Sequence, residues 1–257
     1  MKIIAVMSPK GGIGKTTTAD SIAYILGEEY GKRVLMIDGD PQGDTSKIFG
    51  VYEPEGIGLN GLLEQDVGEG EKYQTSDFIR KTRYGYIDII PANEYLTQTD
   101  TNLTLKQEEN QVTRLRDALT EVSDAYDYCV CDCGRLFDMV VINILLSASL
   151  VIAPVKIGGF ENEALHNLEE QVEDMKKVNT DMEIRVIMTM RQKNKTSMEM
   201  ETWLRGEYGR NMFVTPVKRS VIVEKSSMAM LPLPEFSKRG TVTQDYRSIV
   251  EEIMREA

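Results

Sequence analysis

Apolar and polar positions fall into two kinds of block along this chain of 257 residues. Short apolar runs rich in β-branched residues predict strands at Ile3–Met7, Arg33–Asp38, Tyr86–Pro91, Tyr128–Asp132, Leu150–Pro154, Arg185–Met190 and Met212–Thr215. Several of these runs are apolar at successive positions, as expected of parallel strands covered on both faces. Longer stretches with a helical period predict helices at Thr16–Glu29, Leu105–Asp124, Leu136–Ser147, Glu161–Asn179, Ser197–Tyr208 and Val242–Arg255. Strand and helix alternate, which predicts an α/β fold with a single doubly wound, mostly parallel sheet and helices on both faces. One domain over residues 1–257 accommodates the pattern, with no internal repeat. The Gly- and Glu-rich stretch Gly50–Ser76 is expected to be a connection carrying short helices.

The stretch SPKGGIGKTTT, residues 8–18, joins the first strand to the first helix. Gly11, Gly12 and Gly14, with Ile13 among them, let backbone N–H groups approach a polyphosphate, and the helix N-terminus adds its positive dipole end. Lys15 is placed to reach the β- and γ-phosphates, the Thr16 hydroxyl to ligate Mg²⁺, and Thr17 to donate to the α-phosphate. The alternative is a glycine-rich turn with its lysines in solvent. Pro9 stands where the common phosphate loop has glycine, and a second lysine, Lys10, follows it.

KGGIGKTTT resembles the deviant Walker A motif of the ParA/MinD class of P-loop ATPases, whose signature lysine is matched by Lys10. The resemblance implies ATP and Mg²⁺ as ligands and a face-to-face homodimer in the ATP state. It also implies a division of labour: Lys15 serves its own subunit's ATP and Lys10 its neighbour's. Two cations at the γ-phosphate can stabilise charge on the transferring phosphoryl group.

MIDGDPQGD, Met36–Asp44, follows the second strand, and its Asp38 and Asp40 sit where ligands bind in open α/β sheets. One carboxylate there could order an attacking water while the other supports the metal. An acidic turn fits the same residues equally well. The stretch resembles the family's D-x-D-P-Q-G-N switch, which implies that Asp40 orients the water and Asp38 assists at the metal; Asp44 replaces the usual Asn. YDYCVCD, Tyr126–Asp132, has the Walker B form, a strand delivering Asp132 to the Mg²⁺ shell. Where the family continues with Pro-Pro, this chain has Gly134-Arg135.

Composition narrows the setting. Apolar residues make up 41% and charged residues 28%, ordinary for a globular chain, and no apolar run approaches a membrane span. The three cysteines, Cys129, Cys131 and Cys133, alternate along one strand, so they read as core residues of a cytoplasmic protein and not as a disulfide framework. The nitrogenase iron protein, a relative of the family, draws its cluster cysteines from two separated segments, unlike these. His166 reads as a surface residue. The chain opens directly on a strand, so neither a signal peptide nor an N-terminal helix-turn-helix is expected.

Net charge is −11, which opposes nucleic-acid binding. Yet Arg185–Lys225 holds nine Lys and Arg against four Glu, a local basic excess that solvated helix faces also explain. The resemblance continues here. PVKIGGFENEALHNL matches a family segment with Gly158 in place of the usual Glu, and VIMTMR and the tail from Pro216 resemble the Soj/ParA pattern. It implies adenine contacts from Met190 and Pro216, and non-specific DNA binding through Lys193, Lys195, Lys218 and Arg219. A ParB-like adaptor would trigger hydrolysis and release, and the protein would be nucleoid-associated. MinD-type relatives instead end in a basic helix that lies on the membrane; this chain ends VTQDYRSIVEEIMREA, acidic and without Lys, so no membrane partner is expected. Two alternatives remain beside DNA segregation: a MinD-like protein-positioning switch, and an ATP-binding module with little hydrolysis.

Overall fold

The computed structural model describes residues 1–65, 73–106, 110–156 and 161–255. Seven strands form one sheet in the order β3-β4-β2-β5-β1-β6-β7. They are β1 (Lys2–Val6), β2 (Val34–Gly39), β3 (Arg80–Lys81), β4 (Ile87–Ile90), β5 (Tyr128–Cys133), β6 (Leu150–Val155) and β7 (Glu183–Met188). Every pairing is parallel except β3 with β4. The central strand β1 lies between β5 and β6, so its carboxyl end opens where the chain turns to either side.

Alternate residues of each central strand feed two cores. Ile4, Val6, Val34, Met36 and Val130 pack with α1 (Lys15–Tyr24) and α11 (Thr241–Arg255). Ala5, Met7, Leu35, Ile37, Cys129 and Cys131 pack on the other face. That face carries α3 (Leu59–Glu64), α4 (Leu96–Lys106), α5 (Arg114–Glu121), α6 (Met139–Ser147), α7 (Glu161–Met175) and α8 (Lys195–Tyr208). Burial on both sides is why the strands read as unbroken apolar runs. The short helices α2 (Asp44–Ile48), α9 (Val221–Met228) and α10 (Leu233–Phe236) complete the described residues. Cys129 and Cys131 Sγ lie 3.8 Å apart in the core, and His166 is exposed beside Glu170.

Three sequence expectations are corrected. Met212–Thr215 is no strand: the segment touches β7 through the single bridge Val186–Met212. The Val214 N–H is taken by Glu252 Oε2 at 3.0 Å, and Pro216 has no N–H to give, so the ladder cannot continue. The helix expected over Leu105–Asp124 is two helices, α4 and α5, with a turn at 110–113 before the second. α1 gives way at Ile25–Glu29 to a π-helical turn. Gly158 and parts of the Gly50–Ser76 and Leu105–Asp124 stretches lie outside the described residues.

Candidate nucleotide site

The site is built by strand register. Asp38 on β2 and Asp132 on β5 are direct partners across the ladder, and Asp132 is also the partner of Val6, where β1 enters the glycine loop. Three adjacent strand ends therefore converge without any long-range adjustment of loops. Gly12 (φ 65°) and Gly14 (φ 91°) take left-handed conformations that side chains resist, and a Cβ at either would meet nothing within 4 Å. The loop thus faces open space, with α1 starting at Lys15 behind it. Ile13 is buried and its carbonyl accepts from Thr189 Oγ1 at 2.8 Å, which pins the loop to the end of β7. Thr16 and Thr17 are half-buried on the first turn.

Lys15 is 8% exposed, and its Nζ donates to the Lys10 carbonyl at 3.4 Å across the loop. Burial holds its ammonium below the usual lysine range; the carboxylates of Asp132 and Asp40 work against that, and the Arg135 guanidinium adds to it. These groups therefore surround one small volume. Lys10 is half-buried on the same loop.

The carboxylates differ in setting. Asp38 is buried and accepts from Ser46 Oγ (2.6 Å), Ser46 N (2.8 Å) and Asp40 N (3.2 Å). Asp132 accepts from Thr45 Oγ1 at 3.0 Å, while its Oδ1 is buried with no hydrogen-bond partner. Burial raises Asp132 to about 7, the Asp38 charge adds to it, and the hydroxyls of Thr16 and Thr45 oppose it. Burial likewise raises Asp38 to about 6, against its hydrogen bonds from Ser46. An orphaned buried carboxylate oxygen beside a threonine hydroxyl is costly unless a cation completes it. The donors are all hard oxygen, which suits Mg²⁺ held through one or two carboxylates and phosphate. Asp40 lies further out, half-buried, and its Oδ1 accepts from Gln42 N at 3.0 Å, so the acidic-turn reading holds for that carboxylate whatever else it does.

A cavity of about 280 Å³ adjoins the loop, lined by Gly12, Gly14, Thr17, Thr189, Met190, Val217, Lys218, Arg219, Ser220, Val223, Glu224 and Tyr246. Met190 lines it and holds φ 53°, an uncommon conformation for a non-glycine residue. Pro216 does not line the cavity; its neighbour Val217 does. Tyr246 of α11 closes the floor and shares a 3.0 Å hydrogen bond with Thr18 of α1.

The four basic residues expected at DNA line two different cavities. Lys218 and Arg219 border the nucleotide cavity, and Lys218 Nζ pairs with Asp245 at 2.5 Å. Lys193 and Lys195 are exposed near the start of α8, where with Met198 and Trp203 they line a separate cavity of about 630 Å³. Reasoning from sequence missed Asp20, Thr45, Ser46 and Tyr246. No pattern in the sequence marked them.

Comparison with known proteins agrees with this geometry. The AAA_31 family model, an AAA domain, matches residues 1–184. The chain is 29% identical over 259 residues to the chromosome partitioning protein ParA of Caulobacter vibrioides, covering 99% of this chain and 94% of that one. It is 28% identical to the sporulation initiation inhibitor protein Soj of Bacillus subtilis, covering 98% of each. A Borrelia burgdorferi plasmid partition protein solved with AMPPNP has the same fold, with a TM-score of 0.82, 23% identity and coverage of 100% of this chain and 99% of the other. The chain belongs to the AAA_31 domain family and, within it, to the ParA/Soj-type P-loop ATPases of the deviant Walker A class.

Proposed function

We propose that this chain is a Mg²⁺-dependent ATPase that dimerises on ATP, binds DNA non-specifically in that state and is reset by hydrolysis, so that DNA is segregated. The register pairing of Asp38 with Asp132 next to the glycine loop carries the reading. The backbone amides of Gly11, Gly12 and Gly14 and the Lys15 ammonium bind the phosphates. Thr16 and Asp132, with Asp38 behind, would hold Mg²⁺, which would supply charge neutralisation to the triphosphate. Asp40, the half-buried member of the carboxylate set, orients the attacking water. Met190 and Val217 border the cavity for the base, and Lys10 serves the partner's nucleotide.

The name of the Caulobacter relative, a chromosome partitioning protein, supports segregation as the task. A ParB-like adaptor as the trigger and the nucleoid as the place are what the family resemblance of the sequence implies. Against a MinD-like membrane role, the apolar residues of α11, among them Val242, Tyr246, Ile249, Val250 and Ile253, are buried against α1, not offered to a lipid surface. The test is ATP turnover with and without Mg²⁺ in the wild type, Lys15→Ala and Asp40→Ala. The expected result is Mg²⁺-dependent turnover, no nucleotide binding in Lys15→Ala, and binding without turnover in Asp40→Ala. Wild-type turnover in Asp40→Ala would remove that residue from the mechanism.

A further inference from the structure

The departure Gly134-Arg135 has a structural consequence. Gly134 follows β5 so closely against the next strand end that a Cβ there would lie 3.3 Å from the Gly39 carbonyl oxygen and 4.0 Å from the Asp40 Cα. That approach sets the backbone of residue 135 beside the Asp40 turn, and the long Arg135 side chain crosses to the glycine loop. A Cβ built on Gly11 would lie 3.3 Å from Arg135 Nη1 and 3.4 Å from its Cδ. Gly11 is thus the residue against which the guanidinium lies, and its lack of a side chain leaves the room.

Arg135 is exposed, and its guanidinium has no hydrogen-bond or ion-pair partner among the described residues. It stands close enough to Lys15 for their charges to oppose each other. Two cations held together over a loop of outward-facing glycines make a site for an anion. The position along the loop says which part of a nucleotide this is. The cavity bordered by Met190 takes in Gly12, Gly14 and Thr17 but neither Gly11 nor Arg135. Arg135 therefore lies beyond the base, on the side of Asp40 and Asp132.

We propose that Arg135 contacts the terminal phosphate of the chain's own bound nucleoside triphosphate and gives the site its preference for triphosphate over diphosphate. A guanidinium presents a planar pair of donors that matches two phosphate oxygens at once. It reaches the pocket from the same subunit, so it acts before any dimer forms, unlike the cross-subunit role assigned to Lys10. In the reaction it would stabilise charge gathering on the transferring phosphoryl group, as an arginine finger does.

The proposal rests on the nucleotide reading above, and the experiment separates the two. Affinities for ATPγS and ADP, each with Mg²⁺, are measured by calorimetry for the wild type, Arg135→Ala and Arg135→Glu. Arg135→Ala is expected to lose about tenfold in ATPγS affinity while ADP affinity stays within about twofold, and Arg135→Glu to lose more. The unchanged ADP affinity also certifies the fold of both variants. An unchanged ratio, or equal losses for both nucleotides, overturns the role of Arg135 and leaves the site reading intact. Failure of the wild type to bind either nucleotide overturns both.

Discussion

Thr45 Oγ1 lies 3.0 Å from Asp132 Oδ2, and on its other side 2.9 Å from Asp20 Oδ1. A hydroxyl has one proton to donate, so it cannot donate to both carboxyls. The contacts are satisfied together when the fully buried Asp20 carries a proton, donates it to Thr45, and Thr45 donates to Asp132. α1, α2 and β5 are thereby joined at the candidate metal carboxylate.

Thr45→Val removes that junction and leaves two buried carboxyl oxygens without a partner, at a cost of about 1–3 kcal/mol. Thr45→Ser keeps the hydroxyl and should cost less. Urea unfolding of the nucleotide-free protein measures both. A Thr45→Val variant more stable than Thr45→Ser would mean that the methyl group, not the hydroxyl, matters there.

Asp20 supplies a pH dependence. Burial, and then the Asp132 charge, push its carboxyl well above the usual range, while Thr45 opposes the shift. A raised folded pKa means that the folded state binds the proton more tightly than the unfolded chain. The stabilisation is complete below the unfolded value of about 3.9 and is lost as pH rises through the folded pKa. Asp20→Asn replaces the protonated acid by an amide that can still donate to Thr45. The melting temperature of the nucleotide-free wild type should therefore fall more steeply between about pH 5 and pH 8 than that of the variant. Parallel curves would show that Asp20 is ionised in the folded protein.

Much of this was legible in the sequence, for a physical reason. β1, β2, β5 and β6 are buried on both faces, so their apolar runs stand out, and the candidate site sits at their ends, where the structure brings together Lys15, Asp38 and Asp132, three residues singled out from the sequence. β3 has two residues and carries no pattern. α4 was placed late because LTQTDTNLTLK offers only Leu96, Thr99 and Leu103 to the core, a face too polar to register as amphipathic. Asp20 and Thr45 were missed because a buried polar pair on neighbouring helices has no periodic signature. Arg135 was visible as a departure from the family pattern, but its crossing to Gly11 depends on a backbone approach at Gly134 that no one-dimensional pattern encodes.

Lys193 and Lys195 carry the DNA prediction, since both are exposed away from the candidate nucleotide cavity, which Lys218 and Arg219 border. The double variant Lys193→Glu/Lys195→Glu should weaken ATP-dependent DNA retention by about tenfold or more and reduce the salt slope by about two. ATPγS affinity should not change. A wild-type salt slope in filter binding would move the DNA contact to another face.

The central claim is that the triphosphate, through Lys10, joins two copies of this chain. The most direct measurement is solution mass by light scattering, with saturating ATPγS and Mg²⁺, for the wild type and Lys10→Ala. The account predicts a shift from the mass of one chain to that of two in the wild type, and a single chain with nucleotide bound in Lys10→Ala. A wild type that stays at the mass of one chain while saturated, or a Lys10→Ala variant that still doubles, would contradict it.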